Sequence, residues 1–385
     1  MILQKVIQGR DSLNKLPSLM EKVGMTRPLI VGSPKLMPRL RHIPEVKEAP
    51  TFSGYHPNPD LVDAEEGLKS FRSHGCDGLI SLGGGSAMDT AKAVKAYLLA
   101  ENPEDVIQNR LPVGGGIPHI AIPATAGSGA EATSNAVVYR DGVKLSLSGE
   151  ALLPEGVVLD ASLLETLPEY HQKSCAFDAL SQGIESWWSK AASSDSRVHA
   201  YLAILGVLDN LRPYLAGDPR AAEKMLEASF ESGRAIRMTR TTAAHAMSYQ
   251  ITKKLGLAHG HACMVTLPVL WNLMLEKGSE EDRAMLKELA AVMRLGDPMM
   301  VSRLLWGMMY DLEMGPPPMP ARETLDALAD SVNPERLGNH PMALSRQDLR
   351  QVYFDAFLPM EGNVKQACLD IWRYYGGGDN HGSDL

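Results

Sequence analysis

Short apolar runs alternate with amphipathic stretches along the first part of the chain. Residues 28–33 (Pro-Leu-Ile-Val-Gly-Ser) are one such run, and residues 60–73 place apolar side chains at helical spacing. Residues 77–82 (Asp-Gly-Leu-Ile-Ser-Leu) lead straight into Gly83-Gly84-Gly85-Ser86, after which residues 87–99 read as a helix rich in Ala and Lys. Residues 119–125 and 154–160 are further strand-like runs. Runs too short for helices, bounded by glycine and separated by helical stretches, predict a mostly parallel sheet with helices on both faces. Residues 135–148 differ: two apolar runs flank Asp141-Gly142, the signal of a β-hairpin. After about residue 163 the strand signal stops, and residues 172–188, 197–214 and 221–250 read as helices. Gly217-Asp-Pro, Gly296-Asp-Pro and Gly315-Pro-Pro-Pro punctuate the helical part. The pattern divides the chain into an α/β domain, 1–162, and an all-helical domain, 163–385, whose tail, 376–385, has too few apolar residues to order itself.

Composition narrows the class. A chain of 385 residues is long enough for two domains with sizeable cores. Its 44% hydrophobic and 22% charged residues are those of an ordinary globular protein, and a net charge of −8 supplies no general attraction to nucleic acid or to an anionic membrane. The four cysteines, Cys76, Cys175, Cys263 and Cys368, are scattered without a CxxC pair, which points to a reduced, cytoplasmic setting. The first residues lack a basic segment followed by a long apolar run, and no stretch approaches the roughly 18 apolar residues of a membrane span.

Two regions carry candidate chemistry. A strand, then Gly83-Gly84-Gly85-Ser86, then a helix can bind phosphate: glycine admits the ligand to the backbone, and the helix N-terminus offers amides and a favourable dipole. Ser86 suits the N-cap of that helix. A tight βα turn alone would also call for glycine, but a second loop, Thr125-Ala-Gly-Ser128-Gly, closes the next strand, and two such loops make a crevice beyond the strand ends where α/β sheets bind nucleotides. The second region is 240–265, which holds His245, His259 and His261 within 17 residues. On one straight helix His245 and His259 would lie roughly 21 Å apart. A helix end at Gly256 would let the chain turn back, so that both face one point. Asp178 and Gln182 stand at i and i+4 on an earlier helix and share a face. Carboxylate, amide oxygen and two imidazoles could hold Fe²⁺ or Zn²⁺, although each pair alone is also ordinary helix-surface chemistry.

Taken together, Gly83-Gly-Gly-Ser-Ala-Met-Asp-Thr-Ala-Lys92, Ile122-Pro-Ala-Thr-Ala-Gly-Ser-Gly-Ala-Glu131, Leu159-Asp160, Asp178-Ala-Leu-Ser-Gln-Gly-Ile-Glu185, His245-Ala-Met-Ser-Tyr249 and His259-Gly260 resemble the iron-containing (group III) alcohol dehydrogenase family, collinearly over nearly the whole chain. The resemblance implies a dehydroquinate synthase-like fold: a Rossmann-like nucleotide-binding domain followed by an all-α metal-binding domain, with the active site in the cleft between them. It implies hydride exchange between NAD(H) or NADP(H) and a small aldehyde or primary alcohol, with a divalent metal polarising the oxygen, and a homodimer. It places Gly83, Gly84, Gly85 and Ser86 on the pyrophosphate, Asp89 near the nicotinamide side, Thr125 and Ser128 on the cofactor, and Asn135 in the substrate pocket. It makes Asp178, Gln182, His245 and His259 the metal-ligand positions.

The chain departs from the family pattern in three places. Gln182 stands where histidine is usual, which weakens the ligand set unless His261 compensates. Tyr249 replaces a second histidine, either as a pocket wall or as a proton relay with a lowered pKa. Gly32-Ser33-Pro34 stands where many NAD-dependent members have an acidic residue for the ribose, so Ser33 leaves room for the 2′-phosphate of NADP(H). Arg240, Thr241 and Thr242, with His261, suit an anionic aldehyde, and the words around them look like the branch that reduces phosphonoacetaldehyde to 2-hydroxyethylphosphonate in phosphonate biosynthesis. A general short-chain alcohol dehydrogenase, a maleylacetate reductase-like enzyme and a non-catalytic nucleotide-binding sensor are the alternatives.

Overall fold

The computed structural model describes residues 3–376. Nearly all of the tail expected to be disordered lies outside the described residues. The chain forms two compact units, Met1–Leu167 with Pro219–Arg237, and Pro168–Asp218 with Met238–Leu385.

The first unit is built on a parallel sheet of six strands in the order β1 (Lys5–Gln8), β8 (Gly156–Leu159), β5 (His119–Pro123), β4 (Gly78–Gly83), β2 (Pro28–Gly32), β3 (Thr51–Phe52). Every residue of β2, β4, β5 and β8 is buried, which is why they read as continuous apolar runs rather than alternating ones. Successive side chains point to opposite faces. Ile30, Ile80, Ile120 and Val158 pack with Leu16, Leu19 and Met20 of helix α1 (Leu16–Val23) on one face. Leu29, Val31 and Leu79 pack on the other with Ala64 and Phe71 of α2 (Leu61–Ser73) and Ala91 and Val94 of α3 (Gly85–Leu99). Strands β1 and β3 gave no sequence signal because they are short edge strands whose residues are only partly covered. The expected hairpin is present as β6 (Asn135–Arg140) and β7 (Val143–Ser148), joined by Asp141 and Gly142, both with positive φ as a type I′ turn requires. A short helix, α4 (Pro103–Ile107), lies between α3 and β5.

The remaining helices are α5 (Glu169–Trp188), α6 (Ser194–Leu215), α7 (Pro219–Thr239), α8 (Ala243–Leu255), α9 (His259–Lys277), α10 (Glu280–Val292), α11 (Met299–Asp311), α12 (Arg322–Asp330), α13 (Pro334–Leu337), α14 (Arg346–Phe357) and α15 (Gly362–Gly376). In the second unit α5 packs on α6 and α9, α8 on α9, and α11 on α15. No described helix is long and apolar enough to cross a membrane.

Two expectations are revised. The stretch 221–250 is two helices, because Arg240 takes a positive φ of 60° and the chain is non-helical from Arg240 to Thr242. The division also departs from a single cut at 163: it falls after Leu167, and residues Pro219–Arg237 return to the first unit. They are seated there by a backbone contact that hydropathy cannot reveal. A methyl group on Gly233 of α7 would stand 2.2 Å from the carbonyl oxygen of Gly129, and one on Gly129 (φ 58°) would stand 2.5 Å from Gly233 Cα. Since backbone cannot yield as a side-chain tip can, Gly233→Ala is expected to cost at least about 1–3 kcal/mol, read as a lowered midpoint in denaturant titration with the slope unchanged.

Candidate metal centre and dinucleotide loop

In the first unit, strand β4 ends at Gly83 and α3 begins at Gly85, so the glycines occupy the strand-to-helix turn. Gly84, not Ser86, is the N-cap, and no side chain caps α3. Ser86 lies inside the first turn, its Oγ accepting from the Asn58 amide at 3.4 Å. Because β4 and β5 are neighbours, the two Gly/Ser/Thr loops meet: the Ala124 amide donates to the Gly83 carbonyl at 2.8 Å, and methyl groups on Gly84 and Gly85 would meet Thr125 at 3.2 Å and Ser128 at 3.4 Å. Ser33, half-buried, comes directly after β2 at the same strand-end edge of the sheet. Lys92, fully buried on α3, donates to the carbonyls of Ala130 at 2.7 Å and Asn135 at 2.9 Å and to Thr133 Oγ1 at 2.9 Å. It thereby ties both the segment after Ser128 and the start of β6, with Asn135, to the helix beyond the glycines. Burial pushes the Asp89 carboxyl up to about 6, with Lys92 opposing, and pushes the Lys92 ammonium down to about 8, with Asp89 and Glu131 opposing.

In the second unit, Asp178 lies in the middle of α5, His245 in the first turn of α8, His259 at the start of α9 and Cys263 one turn further on. One ligand atom from each of these four lies within 4.8 Å of all the others. His245 Nε2 is 3.2 Å and His259 Nε2 3.9 Å from Asp178 Oδ1, and Cys263 Sγ is 4.0 Å from His259 Nε2. Two local features bring them together. Gly256, with φ 74°, ends α8 in the left-handed conformation and lets the chain reverse. Gly260 allows α9 to touch α5, since a methyl there would lie 1.9 Å from the Ser174 carbonyl oxygen and 2.7 Å from the Asp178 amide.

The imidazoles are aimed by a second layer of groups. Glu185, fully buried one helical face along from Asp178, accepts from His245 Nδ1–H, from Thr242 Oγ1 at 2.6 Å and from the Ala244 amide at 2.8 Å. His259 Nδ1 donates to Ser248 Oγ at 3.3 Å. Both Nε2 atoms are therefore left toward the cluster, the arrangement of a metal-binding imidazole whose other nitrogen is held. Burial works to raise the carboxyls of Asp178 and Glu185, but the adjacent imidazoles outweigh it and hold both below the ordinary range. Asp178 and His245 are buried, whereas the His259 side chain is 41% exposed.

The other expected residues fall differently. Gln182 is buried one turn from Asp178 and hydrogen-bonds to its carboxylate. His261 does not join the cluster: its Nε2–H donates to the Gly315 carbonyl at 3.2 Å, its Nδ1 accepts from Tyr170 Oη at 3.2 Å, and burial lowers its pKa. Tyr249 stacks on His259 with ring centroids 5.8 Å apart, and burial raises its pKa despite Arg336. Thr242 is engaged between Glu185, to which it donates at 2.6 Å, and Trp188 Nε1, which donates to it at 2.8 Å. Arg240 is exposed at the helix break, and Thr241 Oγ1 accepts from Arg336 at 3.3 Å. Three groups were missed. Cys263 had a legible signal, standing four residues after His259 on one helix; Glu185 had a weaker one, in register with Asp178; Arg336 had none, since it is 95 residues from Thr241.

Comparison with known proteins shows the family and the fold. The family described as iron-containing alcohol dehydrogenase matches residues 4–161, and the C-terminal part of the Fe-containing alcohol dehydrogenase family matches residues 174–304. The chain belongs to the iron-containing alcohol dehydrogenase family. It is 36% identical over 226 residues to a phosphonoacetaldehyde reductase of Streptomyces viridochromogenes, covering 55% of this chain and 57% of that protein. It is 35% identical to the probable alcohol dehydrogenase EutG of Escherichia coli, covering 55% of each. These matches span little more than half the length of the curated relatives. The fold is that of sulfoacetaldehyde reductase from Bifidobacterium kashiwanohense, solved in complex with NAD⁺, with a TM-score of 0.83 at 23% identity over 98% of both chains.

The donors fit the metal this family implies. Nitrogen, oxygen and sulfur atoms converging on one point suit a borderline divalent ion such as Zn²⁺ or Fe²⁺, and the uncapped N-terminus of α3 suits a pyrophosphate. Glu185→Gln, which keeps the size but removes the charge that orients His245, is expected to weaken Zn²⁺ binding about 10- to 100-fold in a chelator competition, with little change in metal-free secondary structure.

Proposed function

We propose that this protein is a metal-dependent, nicotinamide-linked reductase of a small anionic aldehyde, with phosphonoacetaldehyde as substrate and 2-hydroxyethylphosphonate as product. The observation that carries the anionic substrate is Arg336. Its guanidinium carbon lies 5.4 Å from the centroid of the Tyr249 ring, which in turn stacks on His259. A planar cation that close to the cluster can pair a phosphonate in two-pronged fashion. The phosphonoacetaldehyde reductase among the relatives supports the same substrate. The other arginines near Arg240 do not compete for it: Arg237 pairs with Glu150 and Arg234 with Glu231.

On this reading Gly83, Gly84, Gly85 and Ser86, with Thr125 and Ser128, hold the dinucleotide pyrophosphate, and Ser33 in place of an acid admits NADPH as well as NADH. Asp178, His245 and His259 hold the divalent ion, which when bound supplies Lewis-acid polarisation of a carbonyl. Glu185 keeps His245 in the tautomer that presents Nε2. Tyr249 walls the substrate side of His259, and Arg336 with Thr241 anchors the phosphonate. A reduced nicotinamide bound at the glycine loop would supply the hydride, and solvent the proton, that turn an aldehyde into a primary alcohol.

The test is turnover by the purified protein of phosphonoacetaldehyde against propanal, each with NADH and NADPH, before and after chelation and return of Fe²⁺ or Zn²⁺. Phosphonoacetaldehyde is expected to have the higher kcat/KM. Arg336→Gln should raise its KM about 10- to 100-fold, the worth of a charge-assisted pair, and leave propanal unaffected. A preference for propanal, or equal effects of Arg336→Gln on both aldehydes, would assign the protein to the neutral short-chain alcohol dehydrogenases.

A further inference from the structure

We propose that Cys263 is the fourth protein ligand of the metal, taking the coordination place that Gln182 cannot fill, so that this chain holds its ion with one carboxylate, two imidazoles and a thiolate. The inference rests on the metal reading of the cluster and not on the aldehyde being reduced.

The donor atoms already stand near coordination distance of a common centre. Around a tetrahedral Zn²⁺, bond lengths of about 2.0–2.1 Å to nitrogen or oxygen and 2.3 Å to sulfur set neighbouring donors roughly 3.3–3.6 Å apart. The separations here, 3.2 Å between His245 and Asp178, 3.9 Å between His259 and Asp178 and 4.0 Å between His259 and Cys263, lie close to that range. All four donors sit within 4.8 Å of one another, so small side-chain shifts bring them onto one centre. The helix favours this geometry. His259 and Cys263 are four residues apart on α9 and share its face, and the contact at Gly260 presses that face onto Asp178.

Gln182 is engaged otherwise. It occupies the position i+4 from Asp178 but directs its amide to the Asp178 carboxylate, where it steadies a ligand instead of being one. A neutral amide oxygen is also a poor donor to a borderline ion beside a thiolate, which is soft and charged. Cys263 is fully buried, with no disulfide partner. A buried thiol in an apolar helix interface would be inert; this one faces two imidazoles and a carboxylate instead. Coordination would release its proton to solvent, leaving sulfur as a thiolate. The donor set also selects the ion: with one sulfur, two nitrogens and one oxygen, the site favours Zn²⁺ over ions that prefer all-oxygen surroundings.

The experiment is X-ray absorption on the Zn²⁺-loaded full-length protein, with metal affinity from chelator competition. The wild type is expected to show a sulfur scatterer at about 2.3 Å. Cys263→Ala should lose it and bind Zn²⁺ more than about 100-fold more weakly, beyond the effect of changing an outer-layer group. Gln182→Ala should keep the sulfur scatterer. Cys263→Ser, closer to the native volume, must also lose it, and the circular dichroism of the metal-free variants separates loss of a ligand from loss of the fold. A wild-type spectrum without sulfur, or a Cys263→Ala protein of undiminished affinity, overturns the proposal. A sulfur-bound metal in a protein that reduces no aldehyde would sink the reductase reading alone, and reductase activity at a sulfur-free metal would sink this one alone.

Discussion

The contact between α5 and α9 at Gly260 governs the candidate metal centre. Two helix backbones meet there so closely that a β-carbon at residue 260 would overlap the Ser174 carbonyl. Helices usually keep 8–10 Å between axes because side chains intervene; removing one side chain at the crossing lets His259, the neighbouring residue, lie beside Asp178. Cys263 comes one turn later by helical periodicity alone. His245 arrives from the other direction, through the reversal at Gly256. The convergence of these donors therefore depends on two glycines, one chosen for space and one for a left-handed turn.

Glu185 organises the layer behind those donors. A buried carboxylate is costly unless hydrogen bonds and opposite charge surround it. Here it receives the Thr242 hydroxyl, the Ala244 amide and the His245 ring. The helix break at residues 240–242 acquires its purpose in this light. Helix α8 has no N-cap side chain of its own. Its first amides are satisfied by a carboxylate from α5, where the positive end of the helix also favours negative charge. One residue thus caps a helix, selects the tautomer of His245 and receives the Thr242 hydroxyl.

In the first unit fold and site are linked in a similar way. The glycine loop after β4 and the Thr125–Ser128 loop after β5 touch because their strands are hydrogen-bonded neighbours. Lys92 then anchors the segment beyond the second loop, its three hydrogen bonds reaching Ala130, Thr133 and Asn135. An ammonium wholly removed from water holds its place only because all three of its protons are used.

Local pattern was enough for the parallel sheet, the hairpin and the glycine loop. Buried parallel strands announce themselves as apolar runs, and a turn with positive φ demands particular residues, so both are written in neighbouring positions. The helix end at Gly256 was legible for the same reason. Relations between residues far apart in the chain were beyond the reach of sequence. The return of α7 to the first unit hangs on Gly129 against Gly233, the turning away of His261 on Tyr170 and Gly315, and the approach of Arg336 to Tyr249 on the packing of a short distant helix. Asp178, His245 and His259 could be named from spacing and resemblance, but whether Gln182 or Cys263 stands with them is set by distances of a few ångströms across three helices. Periodicity tells which face a side chain occupies; only packing tells what that face meets.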